Sequence, residues 1–419
     1  MKRLAIIGSG ISGLACAHYL QHDYDITLFE KNNYVGGHTA TKRVAVDEGE
    51  FDIDTGFIVF NDWTYPNFNR LLKQLSVDSI DTEMGFSVSC DESGLEYSGG
   101  SLMTLFAQKK NLLSIKHWRL IRDILTFNKR SKQVLLEQSL DESVTLGLYL
   151  KQIGLSKHFS EKYLIPMGAA IWSSGLAQME DFPALYFLRF FKNHGLLNIN
   201  DRPQWSVVKG GSKQYVDEIL NRKNFHLQLN SNIESVVSQS DGIAVQQNGS
   251  SQIFDEVIFA CHSDEALALL NQASEHQKNV LGRLNYSDNE VVLHTDTTLL
   301  PKLKSTWSSW NYKIRNDASQ SPTLSYSMNI LQQLTTDTEF VVTLNDTDRI
   351  NPDKILGRYQ YSHPVYTRGT IEAQQLRSTI NGVNNMWFCG AYWYAGFHED
   401  GIRSALDVVN GLGVNIEVL

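Results

Sequence analysis

Residues 4–20 read LAIIGSGISGLACAHYL, and the reading of this stretch decides the fold. Gly8, Gly10 and Gly13 stand in GxGxxG spacing. Four apolar residues, Leu4 to Ile7, precede them, and Ile11, Leu14, Ala15 and His18 recur afterwards at helical spacing. The glycines therefore mark a strand-to-helix turn, the context in which this motif carries meaning. Gly8 permits the tight turn, Gly10 lets backbone approach a pyrophosphate, and Gly13 lets the helix pack on the strand. The helix start, Ile11 and Ser12, offers free N–H groups and a positive dipole end to phosphate. A second strand, YDITLFE, ends in Glu30, 22 residues after Gly8. A carboxylate there can accept hydrogen bonds from an adenosine ribose. The motif, its strands and its acid predict a dinucleotide-binding βαβ unit.

The rest of the composition narrows the class. The chain has 419 residues, 42% hydrophobic and 20% charged, ordinary values for a globular protein with more than one core. No apolar run approaches the roughly 18 residues of a membrane span. The opening MKRLAIIGSG meets glycines too early for a signal peptide, so a cytoplasmic protein is expected. A net charge of −9 argues against a general nucleic-acid binder. Four scattered cysteines without CxxC suggest reduced thiols. HTDTT and HED carry metal-capable side chains, but neither HExxH nor a GxSxG elbow occurs, and no metal is expected.

Downstream of Glu30 the chain continues EKNNYVGGHTATKRV, with Gly36-Gly37, and then DIDTGFIVF at 52–60. Here the sequence resembles the flavin-dependent amine oxidase superfamily. The combination of GGHT, DTGFIVFN and TYPNF is most similar to bacterial NAD/FAD-binding oxidoreductases associated with cyclopropane-fatty-acid synthase. The resemblance runs through YLIPMGAAIWSS, FPALYFLRFFKNHGLL and GFHEDG. One departure is His38, which stands where the superfamily usually has Arg after the glycine pair. The resemblance implies FAD. Its expected contacts are Gly8, Gly10, Ile11, Ser12, Gly13, Glu30, Lys31, Gly36, Gly37, His38, Thr55, Gly56, Phe57, Ile233, Gly390, Gly401 and Ile402, with Ile233 near the adenine. Some superfamily members attach flavin to a cysteine. No cysteine lies between Cys261 and Cys389, so non-covalent FAD is expected.

The expected fold is α/β: a Rossmann-like FAD-binding domain built from discontinuous segments, with an inserted α+β substrate domain. Residues 1–75, 205–265 and 385–419 are assigned to the first and 76–204 and 266–384 to the second. Between 225 and 260, strand-like pieces separated by Asp241-Gly242 and Asn248-Gly249 predict an antiparallel meander. Residues 108–132 carry eight Lys or Arg and one acid, with apolar residues partly at helical spacing. Such a helix can lie on an anionic membrane surface, or pack inward and present a solvated basic face.

The stretch FCGAYWYAGFHEDGIRSAL, 388–406, predicts a last strand and a helix with Ile402, Ala405, Leu406 and Val409 inward and Asp400 as N-cap. By the resemblance, that helix start faces the flavin. His398, Glu399 and Tyr392 are the catalytic candidates, with helix capping and hydrogen-bond support as the structural alternative for the first two. His363 is expected to line the pocket or simply to pack. The leading function is an FAD-dependent oxidoreductase that takes hydride from an apolar substrate, with a fatty-acyl chain or a phospholipid as the candidate. The alternatives are an amine oxidase, with Tyr392 and Trp393 framing the substrate, a non-catalytic flavoprotein partner of a lipid methyltransferase, and a redox-neutral isomerase. A single dinucleotide fingerprint leaves no second site for NAD(P)H.

Overall fold

The computed structural model describes residues 1–172, 175–315 and 323–415. Its centre is a five-stranded parallel sheet drawn from distant parts of the chain. In spatial order the strands are His226–Gln228, Tyr24–Phe29, Lys2–Ile7, Glu256–Phe259 and Met386–Phe388. Leu4 is opposite Ile26 on one side and Glu256 on the other. These strands read as apolar runs because both faces are covered. The first helix, Ile11–Leu20, and the closing helix, His398–Gly411, pack together on one face, where Leu14, Ala15, Ile402 and Ala405 are fully buried. The antiparallel meander Ile233–Gln239, Gly242–Gln247 and Ser250–Phe254 covers the other, with Phe254 edge-on to Phe29.

A second, seven-stranded sheet holds residues from 86–98 and 285–365. Its long edge pair is Asn285–His294 against Ile355–Val365, antiparallel through a register shift at Leu293/His294. A helical lobe from 102 to 193 packs on this sheet around Phe127, Tyr149, Phe159 and Phe187. A small three-stranded sheet joins the two halves: Trp205–Val208 lies between Val59–Asn61 and Ser79–Thr82. Strand Ser79–Thr82, assigned from sequence to the substrate domain, thus pairs directly with a strand assigned to the other. The two halves are laced at this point.

Candidate active site

A cavity of about 1030 Å³ runs between the halves. One arm is lined by the glycine turns and the other by aromatic and aliphatic side chains of the second sheet and helical lobe.

The first arm is made of backbone. Gly13 lies so close to the first strand that an added Cβ would stand 1.9 Å from the Gly8 carbonyl oxygen. At Gly10, by contrast, a Cβ would meet nothing within 4 Å, so the backbone faces open cavity. The helix that follows Gly10 has no side-chain cap, which leaves its first N–H groups for a ligand. Gly37, at φ +58°, brings the second glycine turn to within 3.1 Å of Gly10 Cα, measured from its would-be Cβ. Glu30 is held by Ser9 N–H at 3.0 Å, the Ser9 hydroxyl at 2.5 Å, and the backbone and side-chain amides of Asn32 at 2.9 Å each. Lys31 pairs with Glu265 at the rim, and Ile233 closes the far end. Open space at Gly10, uncapped amides and a fixed carboxylate beyond them fit a dinucleotide diphosphate with its ribose.

Three histidines meet where the arms join. His38 lies 5.6 Å from His363 and 6.0 Å from His262, ring to ring, and 5.2 Å from Tyr361. Burial first, then the neighbouring imidazoles, push His38 down to about 3. Burial and His262 push His363 down to about 4. These rings are neutral at physiological pH. Thr55 donates to Ala40 O and shares a hydrogen bond with the Tyr361 hydroxyl at 3.0 Å. Gly56 packs under His38, whose carbonyl would be 2.1 Å from an added Cβ.

The closing helix sets the remaining wall. His398 lines the cavity, stacked on Phe57 at 3.7 Å with its Nε2 2.9 Å from the Tyr215 hydroxyl. Burial holds its imidazole well below the ordinary histidine range. Tyr392 also lines the cavity, and burial raises its phenol, so it stays protonated. The Tyr392 and Tyr366 hydroxyls have no partner among the described residues. Two neutral buried phenols therefore remain free to donate to a ligand.

Several expectations need correcting. Glu399 does not reach the cavity. Its carboxylate accepts from Asn67 N, Asn67 Nδ2 and Phe68 N at 2.6–3.1 Å, and so caps the helix Pro66–Leu75 from another element. Asp400 is not the N-cap; Phe397 is. Asp400, three residues on, reaches back to accept from Ala395 N and Phe397 N, and burial pushes its carboxyl up to about 7. Gly13, Gly401 and Ile402 stand behind the cavity wall. A Cβ at Gly401 would be 2.6 Å from Ile11 Cγ2, and Ser12 donates to the Gly401 carbonyl at 2.9 Å. These residues fix the helix that presents the diphosphate-facing amides rather than line the cavity. Trp393 turns out of the cavity under the Arg377 guanidinium, so it forms no frame with Tyr392. The other expected residues, Gly8, Gly10, Ile11, Ser12, Glu30, Lys31, Gly36, Gly37, His38, Thr55, Gly56, Phe57, Ile233 and Gly390, all line the cavity.

Phe86, Tyr97, Tyr163, Met167, Trp310 and Tyr326 form much of the second arm. Of these six only Tyr163 and Met167 belong to a stretch singled out in the sequence, YLIPMGAAIWSS. No two of them except Tyr163 and Met167 lie within ten residues of each other.

Comparison with known proteins agrees with this geometry. Residues 6–75 match the family described as NAD(P)-binding Rossmann-like domain. A 1-hydroxycarotenoid 3,4-desaturase from Flavobacterium sp. (strain P99-3) is 31% identical over 160 residues. That stretch is 35% of this chain and spans 30% of the relative's length. Among solved structures, a CLA-producing fatty acid isomerase from P. acnes superposes with TM-score 0.69 at 13% identity, over 98% of both chains. Cyclohexylamine oxidase from Brevibacterium oxydans IH-35A superposes with TM-score 0.65 at 14% identity, over 98% of this chain and 99% of that one. The fold is that of the amine-oxidase-like flavoenzymes.

Proposed function

We propose that the protein is an oxidoreductase with non-covalent FAD that removes hydride from an uncharged apolar substrate, a fatty-acyl chain being the best fit. One observation carries the substrate class. Lys31, Glu30 and Glu265 are charged, but they belong to the nucleotide arm; on the rest of the cavity wall the only charged side chain among the described residues is Arg202. A cationic amine would find no carboxylate there. An acyl chain would find Phe86, Tyr97, Tyr163 and Met167, apolar over most of their surface.

FAD, when bound, supplies the hydride acceptor. The chain's own part is to hold and shield. The uncapped helix at Gly10 and the Gly36-Gly37 turn would hold the diphosphate, and Glu30 would accept from the ribose. The closing helix presents its N-terminal end at Phe397–His398 to the cavity, favouring negative charge there. His38, His363 and His398 are neutral and add no charge of their own to that field, which the helix end supplies. Tyr392 and Tyr366 can donate hydrogen bonds to a substrate or cofactor oxygen.

The test is anaerobic mixing of the yellow holoprotein with unsaturated and cyclopropane acyl lipids and with a set of amines. Loss of flavin colour with acyl lipids supports the reading. Loss with amines alone would establish an amine oxidase. No loss with any of them would favour the partner role beside a lipid-modifying methyltransferase.

A further inference from the structure

The fold leaves one apolar face uncovered. Leu113 is 91% exposed, Ile115 86%, Met103 85% and Leu102 75%, and Leu112 and Trp118 are half exposed. These six are a third of the eighteen exposed large hydrophobic residues found among the described ones, gathered in 17 residues of sequence. Elsewhere such side chains are scattered, as is normal for a protein surface.

The exposure is built, not frayed. Ser101 and Thr104 cap the short helix Leu102–Leu105 reciprocally. Lys109–Leu113 forms a 3-10 turn, and Ser114 then caps the long helix Ile115–Glu137. Trp118 Nε1 donates to Leu112 O at 2.9 Å, and the His117 ring is 2.9 Å from Leu105 O. Gln108 is tied at both ends of its amide, to Glu96 N and Gly94 O. The apolar side chains are therefore held outward by a hydrogen-bonded tip.

The charge around them points to the occupant. From 97 to 122 the chain has Lys109, Lys110, Lys116, Arg119 and Arg122 and no acid, within a protein of net charge −9. Beside Lys109 and Lys110 lies a second depression of about 560 Å³ where Lys302 and Lys313 meet Asp91 and Glu96, so the uncompensated cations are those of the tip itself. Apolar tips surrounded by cations match an anionic bilayer, whose headgroups take the charge while the tips enter the acyl boundary. The inward face of the long helix is not available for this, because Leu120, Asp123 and Phe127 are buried against the lobe. The surface is thus centred on 101–119, not along 108–132.

We infer that this tip docks the protein on an anionic lipid bilayer. Gly99 and Gly100 are exposed, line the main cavity and immediately precede the tip. Docking sets the apolar arm over the lipid, so that an acyl chain enters from the membrane without crossing water. This last step rests on the acyl reading above; the docking does not.

The experiment is cosedimentation of the FAD-loaded protein with vesicles of phosphatidylglycerol and phosphatidylethanolamine, and with phosphatidylcholine vesicles. Wild type should pellet with the anionic vesicles and release as salt rises. The Leu113→Asp/Ile115→Asp variant should bind at least tenfold more weakly, and Lys109→Glu/Lys110→Glu should fall to the phosphatidylcholine level. Both should keep flavin colour and the wild-type thermal transition, since the substituted side chains are exposed. Wild type remaining in the supernatant, or an aspartate variant binding as wild type does, would overturn the inference. So would a wild-type dimer that the aspartate variant splits without any vesicle binding, which would make the face a contact between copies. Docking without flavin reduction by any lipid would keep the inference and remove the acyl reading.

Discussion

The two arms of the cavity are built in opposite ways. The nucleotide arm is shaped by residues that lack side chains, and its contacts are backbone amides and carbonyls brought together by Gly8, Gly10, Gly13, Gly36 and Gly37. The substrate arm is shaped by large side chains from strands and helices far apart in sequence. The first is intolerant at Gly8 and Gly13, where a single methyl group collides with backbone, which cannot move aside. The second can be reshaped without unmaking the fold, because its walls are side chains facing space. Fixed geometry on one side and freedom on the other is how one fold can serve different substrates.

The sharpest way to break that contrast is at Gly13. Gly13→Val should cost more than about 4 kcal/mol and give colourless, poorly folded protein, because its Cβ would meet the Gly8 carbonyl. Flavin content and thermal unfolding read this out. Gly401→Leu should likewise lose FAD through Ile11 and Ser12, with the parallel sheet intact by circular dichroism.

Acid is the next largest effect. Five histidines line the cavity: His398, which is buried, and His38, His194, His262 and His363, which are half-buried. The unfolded chain takes up their protons near pH 6.5, whereas folded His38 waits until about 3, and His194 and His363 until about 4. Their stabilising contribution is therefore fully present above pH 6.5 and is lost as pH falls from there toward 4, by a few kcal/mol in all. Asp54 and Asp400 act oppositely. Their folded values are raised by burial to about 6 and about 7, so they favour the folded state at lower pH and offset part of the loss. Thermal midpoints should still drop between pH 7 and pH 5, and His38→Gln should flatten that slope.

Glu399→Ala separates a cap from a catalyst. It should destabilise by about 1–3 kcal/mol by leaving the Asn67 and Phe68 amides unpaired. The rate of flavin reduction in the folded fraction should not change. A large fall in that rate at unchanged flavin content would return Glu399 to the chemistry.

The contrast also explains what could be read from sequence. A glycine turn is a local device, so GSGISG and GGHT disclosed the nucleotide arm with its spacing intact. The helix His398–Gly411 was visible by its buried stripe. The roles inside its first turn were not, because Glu399 finds its partners 332 residues away and Asp400 reaches backward rather than forward. Phe86, Tyr97, Trp310 and Tyr326 carry no motif. Their common location follows from which strands pair, and the pairing of Phe86–Cys90 with Trp310–Ile314 joins segments more than two hundred residues apart. Exposed Leu113 and Ile115 were read within a basic amphipathic helix. Only the packing of that helix shows which of its apolar residues remain outside.

The central claim is that the apolar arm receives an acyl chain beside bound FAD. It is tested most directly by the flavin spectrum during titration with a long-chain acyl ligand, in wild type and in Met167→Trp, whose larger ring would fill part of that arm. Wild type should show a saturable shift. The variant, with the same FAD content, should need at least tenfold more ligand. An equal response in both proteins, or a saturable response to amines and none to acyl ligands, would contradict the account.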